Sequence, residues 1–450
     1  MADDQLSPET IEYLEGRPKS ERSPLGQFIT PRSLREKLAS KIEFEPGMRV
    51  LDPGVGTAEF LKTCHEIEPK LDLVGWDIDP LVLKVAKKVA PFAEFKKQSA
   101  LEQPWREDFD VVIGNPPYFE MRNLDPQLKV RYKDVLGGRP NIFSLFFAAG
   151  LGALKPGGTL GFVVPPSMNN GAFFEKLRKF ILSQGSIKFL EIYTDHSLFL
   201  DAQTAVQLIT IKKDKTSKKH TVDLGALGKT SNSRVIFSEK PKLIENEFEN
   251  KSTLWHLGYE AITGTLVWNA NKEKLKATPE KGTVPLLWAH NITDSKEIVI
   301  NEDKEKKPQY VATDEVLTGP AIIVNRITGS VGSGNLRCAL VPVGYKFVGE
   351  NHVNIIRARK NTKQKVSWDE LLNLLRLPGV NSRIQRLTGN TQISCVELTN
   401  WLPLDSDVAA TQDQEVVEDS KLFNIYRSLI SLKFDLPRRP QDAGVILPPK

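Results

Sequence analysis

The stretch Val111-Val-Ile-Gly-Asn-Pro-Pro-Tyr-Phe119 decides how the rest of the chain is interpreted. It begins with three β-branched residues and a glycine, a pattern that predicts a short buried strand. Pro116 lacks a backbone donor and biases Asn115 away from the helical region, and Pro117 acts in the same way on Pro116. We therefore predict that Asn115–Tyr118 is a rigid, extended segment at the carboxyl end of a central strand, where open α/β sheets place their ligand sites.

The groups that this segment exposes suit a planar amine. The side-chain oxygen of Asn115 and the carbonyl oxygen of Pro116 are both hydrogen-bond acceptors. Held side by side, they can bind both hydrogens of an –NH2 group and turn its nitrogen lone pair out of the plane. Tyr118 offers an aromatic face for the ring that carries the amine. The segment is thus typical of a site that makes a conjugated amine nucleophilic, and the alternative interpretation is a structural proline turn.

The composition excludes several classes of protein. With 450 residues and 40% apolar content, the chain has room for two or three domains. Three cysteines and six histidines show no ligand spacing, so we expect no disulfide framework, no metal site and a cytoplasmic location. No apolar run approaches the roughly 20 residues that cross a bilayer, and no secretory signal pattern opens the chain, which argues against a membrane partner. The net charge of +5 favours an anionic partner.

A second pattern upstream indicates a cofactor. The predicted strand Met48–Asp52 runs into the glycine turn Pro53-Gly-Val-Gly-Thr57, where backbone N–H groups can approach a ligand closely. Glu59, not glycine, stands third after Gly56, which argues against the pyrophosphate of a dinucleotide. Asp77 ends the next predicted strand 21 residues beyond Gly56, the spacing of an acid that binds ribose hydroxyls. A nucleoside without pyrophosphate indicates S-adenosylmethionine (SAM).

Strands and helices alternate over the first half of the chain. The segment Ala205–Lys212 alternates like the antiparallel partner of a hairpin. Together these patterns predict a doubly wound α/β sheet to which an antiparallel last strand is added. Residues 1–22 are expected to be frayed, and Met121–Pro140 is expected to be a mobile loop over the site.

The second half has a different character, which begins after a Lys- and Ser/Thr-rich linker at about Lys213. Short apolar runs alternate with loops, and basic and aromatic residues are interleaved. This composition suits a nucleic-acid surface. The residues concerned are Trp255, Trp268, Trp288, Arg326, Arg337, Arg383 and Arg386.

The order of the motifs resembles that of one enzyme family. The motifs are Gly26-Gln-Phe-Ile-Thr-Pro31, Val50-Leu-Asp-Pro-Gly-Val-Gly56, Gly75-Trp-Asp-Ile-Asp-Pro80, Asp110-Val-Val-Ile-Gly-Asn-Pro-Pro-Tyr118 and Leu154-Lys-Pro-Gly-Gly158. In this order the chain resembles the gamma-class, TaqI-type DNA adenine methyltransferases of bacterial restriction–modification systems. The resemblance is strong over Leu25–Ile211 and continues loosely to Leu404.

The resemblance implies both fold and domain organisation. The fold would be a Rossmann-like, SAM-dependent methyltransferase with a mixed sheet, followed by a mixed α/β target recognition domain. The implied segments are a flexible N-terminal segment 1–24, a catalytic domain 25–245, a target recognition domain 246–405 and a C-terminal extension 406–450.

The resemblance also implies two sets of site residues. The cofactor-binding residues would be Thr30, Asp52, Gly54, Gly56, Asp77, Ile78, Ser99 and Phe146. Among them, Asp77 would hold the ribose and Ile78 would pack on the adenine, whereas Ser99 replaces the family's usual acid with a weaker, neutral acceptor. The catalytic residues would be Asn115, Pro116, Pro117, Tyr118 and Phe199. Phe199 would stack on the target base opposite Tyr118.

The function that follows is methylation of adenine N6 in duplex DNA by a monomer in the prokaryotic cytoplasm, at the nucleoid, with a cognate restriction endonuclease as a partner. Four rivals stay open. A protein glutamine methyltransferase also acts on a planar –NH2 group, although it needs no C-terminal half of this length. Cytosine-N4 methylation shares the geometry, as does methylation of structured RNA. A catalytically silent DNA-binding module would retain the fold without turnover.

Overall fold

The computed structural model describes most of the chain as far as residue 406. The described residues are 6–22, 26–121, 123–138, 141–193, 205–214, 219–230, 234–293, 297–300, 307–326, 335–388 and 393–406. They all lie in one compact unit, Met1–Ala410. Phe199 and nearly all of the predicted C-terminal extension lie outside the described residues.

The N-terminal half is built on a mixed sheet. Its strands are β1 (Arg49–Asp52), β2 (Asp72–Asp77), β3 (Glu94–Lys97), β4 (Phe109–Gly114), β5 (Leu154–Val164), β6 (Ser186–Tyr193) and β7 (Val206–Lys212). Within the described chain these seven strands lie in the order β3-β2-β1-β4-β5-β7-β6. β1 is parallel to β2 and β4, β4 is parallel to β5, and β7 is antiparallel to both β5 and β6. The predicted mixed sheet with an antiparallel last strand, the fold of SAM-dependent methyltransferases, is confirmed.

Helices cover both faces of this sheet. They are α1 (Pro8–Gly16), α2 (Lys19–Arg22), α3 (Arg32–Ala39), α4 (Glu59–Ile67), α5 (Pro80–Val89), α6 (Pro126–Arg131), α7 (Ile142–Ala153) and α8 (Glu175–Gln184). Because side chains alternate along a strand, Val111 and Ile113 of β4 pack with α3, α4 and α5, whereas Val112 packs with α7 and α8. The strand that leads to Asn115 is therefore buried on both faces and is held firmly.

Two segments differ from the sequence-based expectation. Residues 8–16, expected to be frayed, form helix α1, because the Ser7 N–H (2.8 Å) and the Thr10 hydroxyl (2.7 Å) donate to the buried Glu59 carboxylate. This helix packs through polar groups, so hydrophobic periodicity could not reveal it. The segment 121–140, expected to be a loop, contains the short helix α6, which Asp125 caps.

The C-terminal half is also mixed α/β, as expected. Its strands are β8 (Thr221–Asp223), β9 (Val235–Phe237), β10 (Tyr259–Thr263), β11 (Leu275–Lys276), β12 (Thr283–Leu287), β13 (Tyr310–Ala312), β14 (Leu317–Thr318), β15 (Ala321–Asn325), β16 (Cys338–Val341), β17 (Lys346–Gly349) and β18 (Val353–Ala358). Its helices are α9 (Leu224–Leu227), α10 (Pro241–Phe248), α11 (Leu254–Leu257), α12 (Trp368–Leu375) and α13 (Pro378–Thr388). The larger sheets have the orders β10-β18-β15-β16 and β11-β13-β12-β17-β14.

A buried arginine joins the two halves. Arg178 of α8, which is fully buried, donates from Nε to the carbonyl of Val235 (2.8 Å) and from Nη1 to those of Met168 (2.9 Å) and Gly171 (2.8 Å). Burial lowers the pKa of this guanidinium to about 9. Side chains of 222–248 share their hydrophobic core with α12 and α13. The domain boundary at residues 245/246 stays a prediction.

Candidate active site

Three strands deliver the predicted site residues to one edge of the sheet. β1, β2 and β4 are parallel neighbours, so their carboxyl ends, at Asp52, Asp77 and Gly114, lie together. The approach is close, since a Cβ added at Gly114 would lie 2.5 Å from Asp52 Oδ1. A side chain at Gly114 would therefore displace the Asp52 carboxylate. This contact places the Asn115 segment against the glycine turn that was predicted to hold the cofactor.

Hydrogen bonds to the backbone shape the glycine turn after β1. The Gly54 N–H donates to Asp52 Oδ1 (3.2 Å), and the Gly56 N–H donates to Asp77 Oδ2 (3.0 Å). Gly56 has φ +51°, a conformation that favours glycine. A Cβ at Gly54 would lie 3.5 Å from the Phe146 ring, so α7 forms one wall of the turn. The structure thus brings five predicted cofactor-binding residues together.

The other three predicted cofactor-binding residues are Thr30, Ile78 and Ser99. Thr30 is buried, and its hydroxyl has no hydrogen-bond partner among the described residues. Ile78 is 48% exposed directly after Asp77, as expected of a side chain that packs on a ligand. The Ser99 hydroxyl accepts from the Leu101 N–H (3.3 Å) and so already serves a turn.

The electrostatics of the site suit a cationic ligand. Burial raises the pKa of Asp52 to about 8, with a smaller contribution from the nearby Asp77 and against the hydrogen bond from the Gly54 N–H. Burial also raises the pKa of Asp77, although N–H groups of Asp79 and Gly56 oppose the effect. Within the described chain, neither carboxylate forms an ion pair with a basic side chain. The carboxylates of the buried Asp52 and the half-buried Asp77 fit the ammonium and sulfonium charges of SAM.

Asn115 is held at both ends of its amide. Its Nδ2 donates to the Phe28 carbonyl (3.0 Å), and its Oδ1 accepts from the Tyr118 hydroxyl. The same hydroxyl lies 2.7 Å from the Val163 carbonyl, and its one hydrogen serves either acceptor. The Tyr118 ring packs edge-on against Phe143, with centroids 6.4 Å apart, and burial raises its pKa well above the ordinary value. The motif predicts an open Oδ1 acceptor, whereas in the structure the Tyr118 hydroxyl already donates to it.

Sequence reasoning missed a polar network behind the site. Asp79 caps α5 and forms an ion pair with Arg17, and Gln27 Nε2 donates to the same carboxylate (3.0 Å). The motif Asp77-Ile-Asp-Pro80 carried a signal for the cap, since aspartate before proline is typical of a helix start. Nothing local could have indicated the partners, because Arg17 is 62 residues away.

The described residues offer neither a metal site nor a membrane span. In the part of the chain that the structure describes, no group of three or more His, Cys, Asp or Glu side chains could hold a metal ion. Over the same residues, no helix combines the length and the apolar character that a membrane span requires.

Comparisons with known proteins agree with this geometry. A family model described as Eco57I restriction-modification methylase matches residues 67–199. The matched stretch includes Asp77, Phe146 and the segment Asn115–Tyr118.

Characterised relatives extend the similarity over most of the chain. The modification methylase CviBIII of Paramecium bursaria Chlorella virus NC1A is 29% identical over 411 residues, which cover 89% of this chain and 99% of that protein. The type II methyltransferase M.BsuBI of Bacillus subtilis is 24% identical, and the match covers 88% of this chain and 91% of that protein. Among solved structures, the methyltransferase subunit of a type I restriction-modification system from Streptococcus thermophilus has a TM-score of 0.38 at 17% identity, covering 53% of this chain and 56% of its own.

Proposed function

The chain is homologous to the DNA methyltransferases of restriction–modification systems, and from this premise we propose that it methylates the N6 amino group of an adenine flipped out of duplex DNA. Its cofactor is SAM. The observation that carries the proposal is the close approach of the two parts of the site: Gly114, directly before Asn115, lies against Asp52 at the start of the cofactor turn. An amine bound by the first would face a methyl donor bound by the second.

The residues of the chain bind the cofactor and the target amine and position them for methyl transfer. Bound SAM supplies an electrophilic methyl group. Asp52 and Asp77 would bind its positively charged groups and its ribose, and the turn that contains Gly54 and Gly56 would lie against it. Asn115 Oδ1 and the Pro116 carbonyl accept the two amine hydrogens. Positioning supplies most of the rate acceleration, as in other reactions between two held groups, and the proton leaves to solvent.

The Tyr118 hydroxyl can free both lone pairs of Asn115 Oδ1 for the target amine. Because Val163 O is a second acceptor at 2.7 Å, the hydroxyl can turn its hydrogen there without moving the ring. The exchange keeps the phenol satisfied, as a buried hydroxyl requires. It leaves Oδ1 open to the substrate.

The test of the proposal is the identity of the methylated product. Purified protein is incubated with methyl-labelled SAM and, separately, duplex DNA, RNA and protein, and the DNA is then digested to nucleosides. We expect label in N6-methyladenine only. Label in N4-methylcytosine would retain the enzyme class and overturn the base, whereas label in protein would favour the glutamine rival. Binding of SAM without any transfer would indicate the silent module.

The C-terminal half offers a surface for the DNA partner. Lys272 lies 5.6 Å above the Trp268 ring, Lys307 lies 5.6 Å above the Trp288 ring, and the two indoles are 6.1 Å apart. We call these four residues the tryptophan–lysine patch. Both lysines are exposed. Of the arginines grouped with these tryptophans in the sequence analysis, Arg383 and Arg386 instead pair with acids.

We expect the double substitution Lys272→Ala/Lys307→Ala to weaken DNA binding and its dependence on salt. Each phosphate contact contributes about 0.9 to the slope of log affinity against log salt, so the slope should fall by about two. Fluorescence anisotropy across a salt series measures it. Lys87→Ala/Lys88→Ala, at two exposed positions of α5, is the matched control. Equal slopes for both double variants would remove the patch from the DNA interface.

Base flipping is tested with 2-aminopurine at the target position, whose fluorescence rises when the base leaves the stack. Stacking contributes about 1–3 kcal/mol per base, so Tyr118→Ala should lower the extruded fraction about tenfold, whereas Tyr118→Phe keeps the aromatic face and the signal. Phe199→Ala tests the second ring, which stays a prediction. An unchanged signal in both alanine variants would contradict the two-ring clamp.

The remaining partners follow from this function. The enzyme would act as a monomer on DNA in the cytoplasm. A restriction endonuclease with the same recognition sequence would be its biological counterpart, since methylation protects the sites that such a nuclease cuts.

A further inference from the structure

We propose that the segment Gly26–Phe28 is a positioning bridge, which fixes the amide of Asn115 for the target amine and couples it to the cofactor site. The inference rests on the proposed function and concerns residues that contact neither the methyl group nor the amine. It depends on three contacts of the segment, one for each of its residues.

The first contact selects the orientation of the Asn115 amide. An asparagine side chain can present either its oxygen or its NH2 group to a given direction, and only the oxygen can accept the target amine. The Phe28 carbonyl can only accept, and it lies 3.0 Å from Asn115 Nδ2. A reversed amide would place two acceptor oxygens against each other. Phe28 therefore keeps Nδ2 on its own side and turns Oδ1 away from itself.

The second contact locks the segment to the Asn115 segment. Gly26 has φ +68°, and a Cβ there would lie 2.3 Å from Pro117 Cβ and 2.9 Å from Pro117 Cα. No other residue fits without displacing Pro117 or the segment itself. Because Gly26 and Phe28 are two residues apart, the bridge touches the Asn115 segment at two points and holds the Phe28 carbonyl in place.

The third contact ties the segment to the cofactor edge. Gln27 Nε2 donates to Asp79 Oδ2 (3.0 Å), and Gln27 Oε1 accepts from the Tyr13 hydroxyl (2.7 Å). The Asp79 N–H in turn donates to Asp77 Oδ1 (2.9 Å), the carboxylate assigned to the ribose. Hydrogen bonds and two peptide units thus connect Asp77 to Asn115.

This connection has a thermodynamic consequence. A ligand that orders Asp77 and Asp79 also orders Gln27 and, through the backbone, the Phe28 carbonyl. Cofactor and target base should then bind with positive coupling, and by linkage each should raise the affinity of the other by the same factor. The bridge explains why the sequence places this element ahead of the glycine turn.

The first test compares Gly26→Ala with Gly47→Ala. Gly47 has φ +84°, and a Cβ there meets no atom within 4 Å, so the control carries similar backbone strain without the clash. We expect Gly26→Ala to slow single-turnover methyl transfer about 10- to 100-fold, because a displacement of about 1 Å costs that much at a reacting centre. DNA affinity should be unchanged, and the thermal midpoints of both variants should be similar. Equal rates for the two variants would overturn the proposal.

The second test measures coupling and does not depend on turnover. Titration calorimetry with S-adenosylhomocysteine, which has no methyl group to transfer, gives the affinity of the cofactor site with and without target DNA. The proteins are wild type, Gln27→Ala and the control Arg32→Ala, whose ion pairs with Glu36 and Glu66 are exposed. We expect the ratio of the two affinities to fall towards one in Gln27→Ala only. An unchanged ratio would overturn the link to the cofactor. Failure of the proposed function would look different, because wild-type protein itself would then leave DNA unlabelled.

Discussion

Asn115→Ala is expected to lower the rate of methyl transfer at least about 100-fold and to leave SAM affinity within about threefold of wild type. Removing one positioned hydrogen-bonding group at a reacting centre typically has an effect of this size. Among the described residues, the Asn115 side chain hydrogen-bonds to Phe28 and Tyr118, neither of which is assigned to the cofactor. The loss should therefore fall on the target amine. Single-turnover kinetics and calorimetry measure the two quantities separately.

A matched asparagine separates this effect from general damage. Asn141 caps α7, accepts from the Phe143 N–H (3.3 Å), and pairs with Glu120 close behind the Asn115 segment. Asn141→Ala should cost about 1 kcal/mol of stability, as a lost cap does, with only a small change in rate. If Asn115→Ala turned over within a few-fold of wild type, the acceptor role would be wrong and the proposed mechanism with it.

Local patterns were sufficient for the framework of the site. β4 and the segment after it follow from β-branched residues and consecutive prolines, whose constraints act within a few bonds. The spacing of Asp77 from Gly56 follows from the length of one helix and one strand. The structure places both features where they were predicted. A parallel sheet brings the carboxyl ends of neighbouring strands together, and this does not depend on the sequence elsewhere in the chain.

The features that the sequence did not reveal are long-range and polar. Any residue at position 28 has a carbonyl group, so its hydrogen bond with Asn115, 87 residues away, left no trace in residue type. Helix α1 binds Glu59 through Ser7 and Thr10, which hydropathy assigns to a solvated surface. The hydrogen bond of the Tyr118 hydroxyl to Asn115 is equally hidden, because the local motif indicates only an aromatic ring. In each case the partner is set by the tertiary fold.

Asp52→Asn is expected to stabilise the free protein at alkaline pH and to weaken SAM binding. In the folded protein, burial raises the pKa of Asp52 from 3.8 to about 8. The folded state therefore holds a proton that the unfolded state releases at about pH 4. Its contribution to stability is complete below pH 4 and is lost as pH rises to 8, by up to about 1.4 kcal/mol per pH unit. Asparagine keeps the acceptor for Gly54 without this loss.

Ionisation of Asp52 lowers the stability of the free protein but should raise its affinity for SAM. Asp52 must be charged to pair with the SAM ammonium, so wild-type affinity should rise with pH and level off near 8. Asp52→Asn should bind about 10- to 100-fold more weakly at pH 8, the range of a charge-assisted hydrogen bond, and should lack this rise. Chemical denaturation and calorimetry at pH 5, 7 and 8.5 give both curves.

Asp110→Asn is the control, because the pKa of Asp110 is shifted in the opposite direction to that of Asp52. Burial acts to raise the pKa of Asp110, but hydrogen bonds from Lys155 Nζ and the Arg49 N–H together hold it below its usual value. Its substitution should destabilise the protein at neutral and alkaline pH and leave SAM affinity unchanged. If Asp52→Asn instead lost stability at pH 8.5 in parallel with Asp110→Asn, the fold would stabilise the Asp52 carboxylate and would not penalise it by burial. The acidic pocket would then be compensated by a cation of the chain itself, and its fit to a positively charged ligand would lose its physical basis.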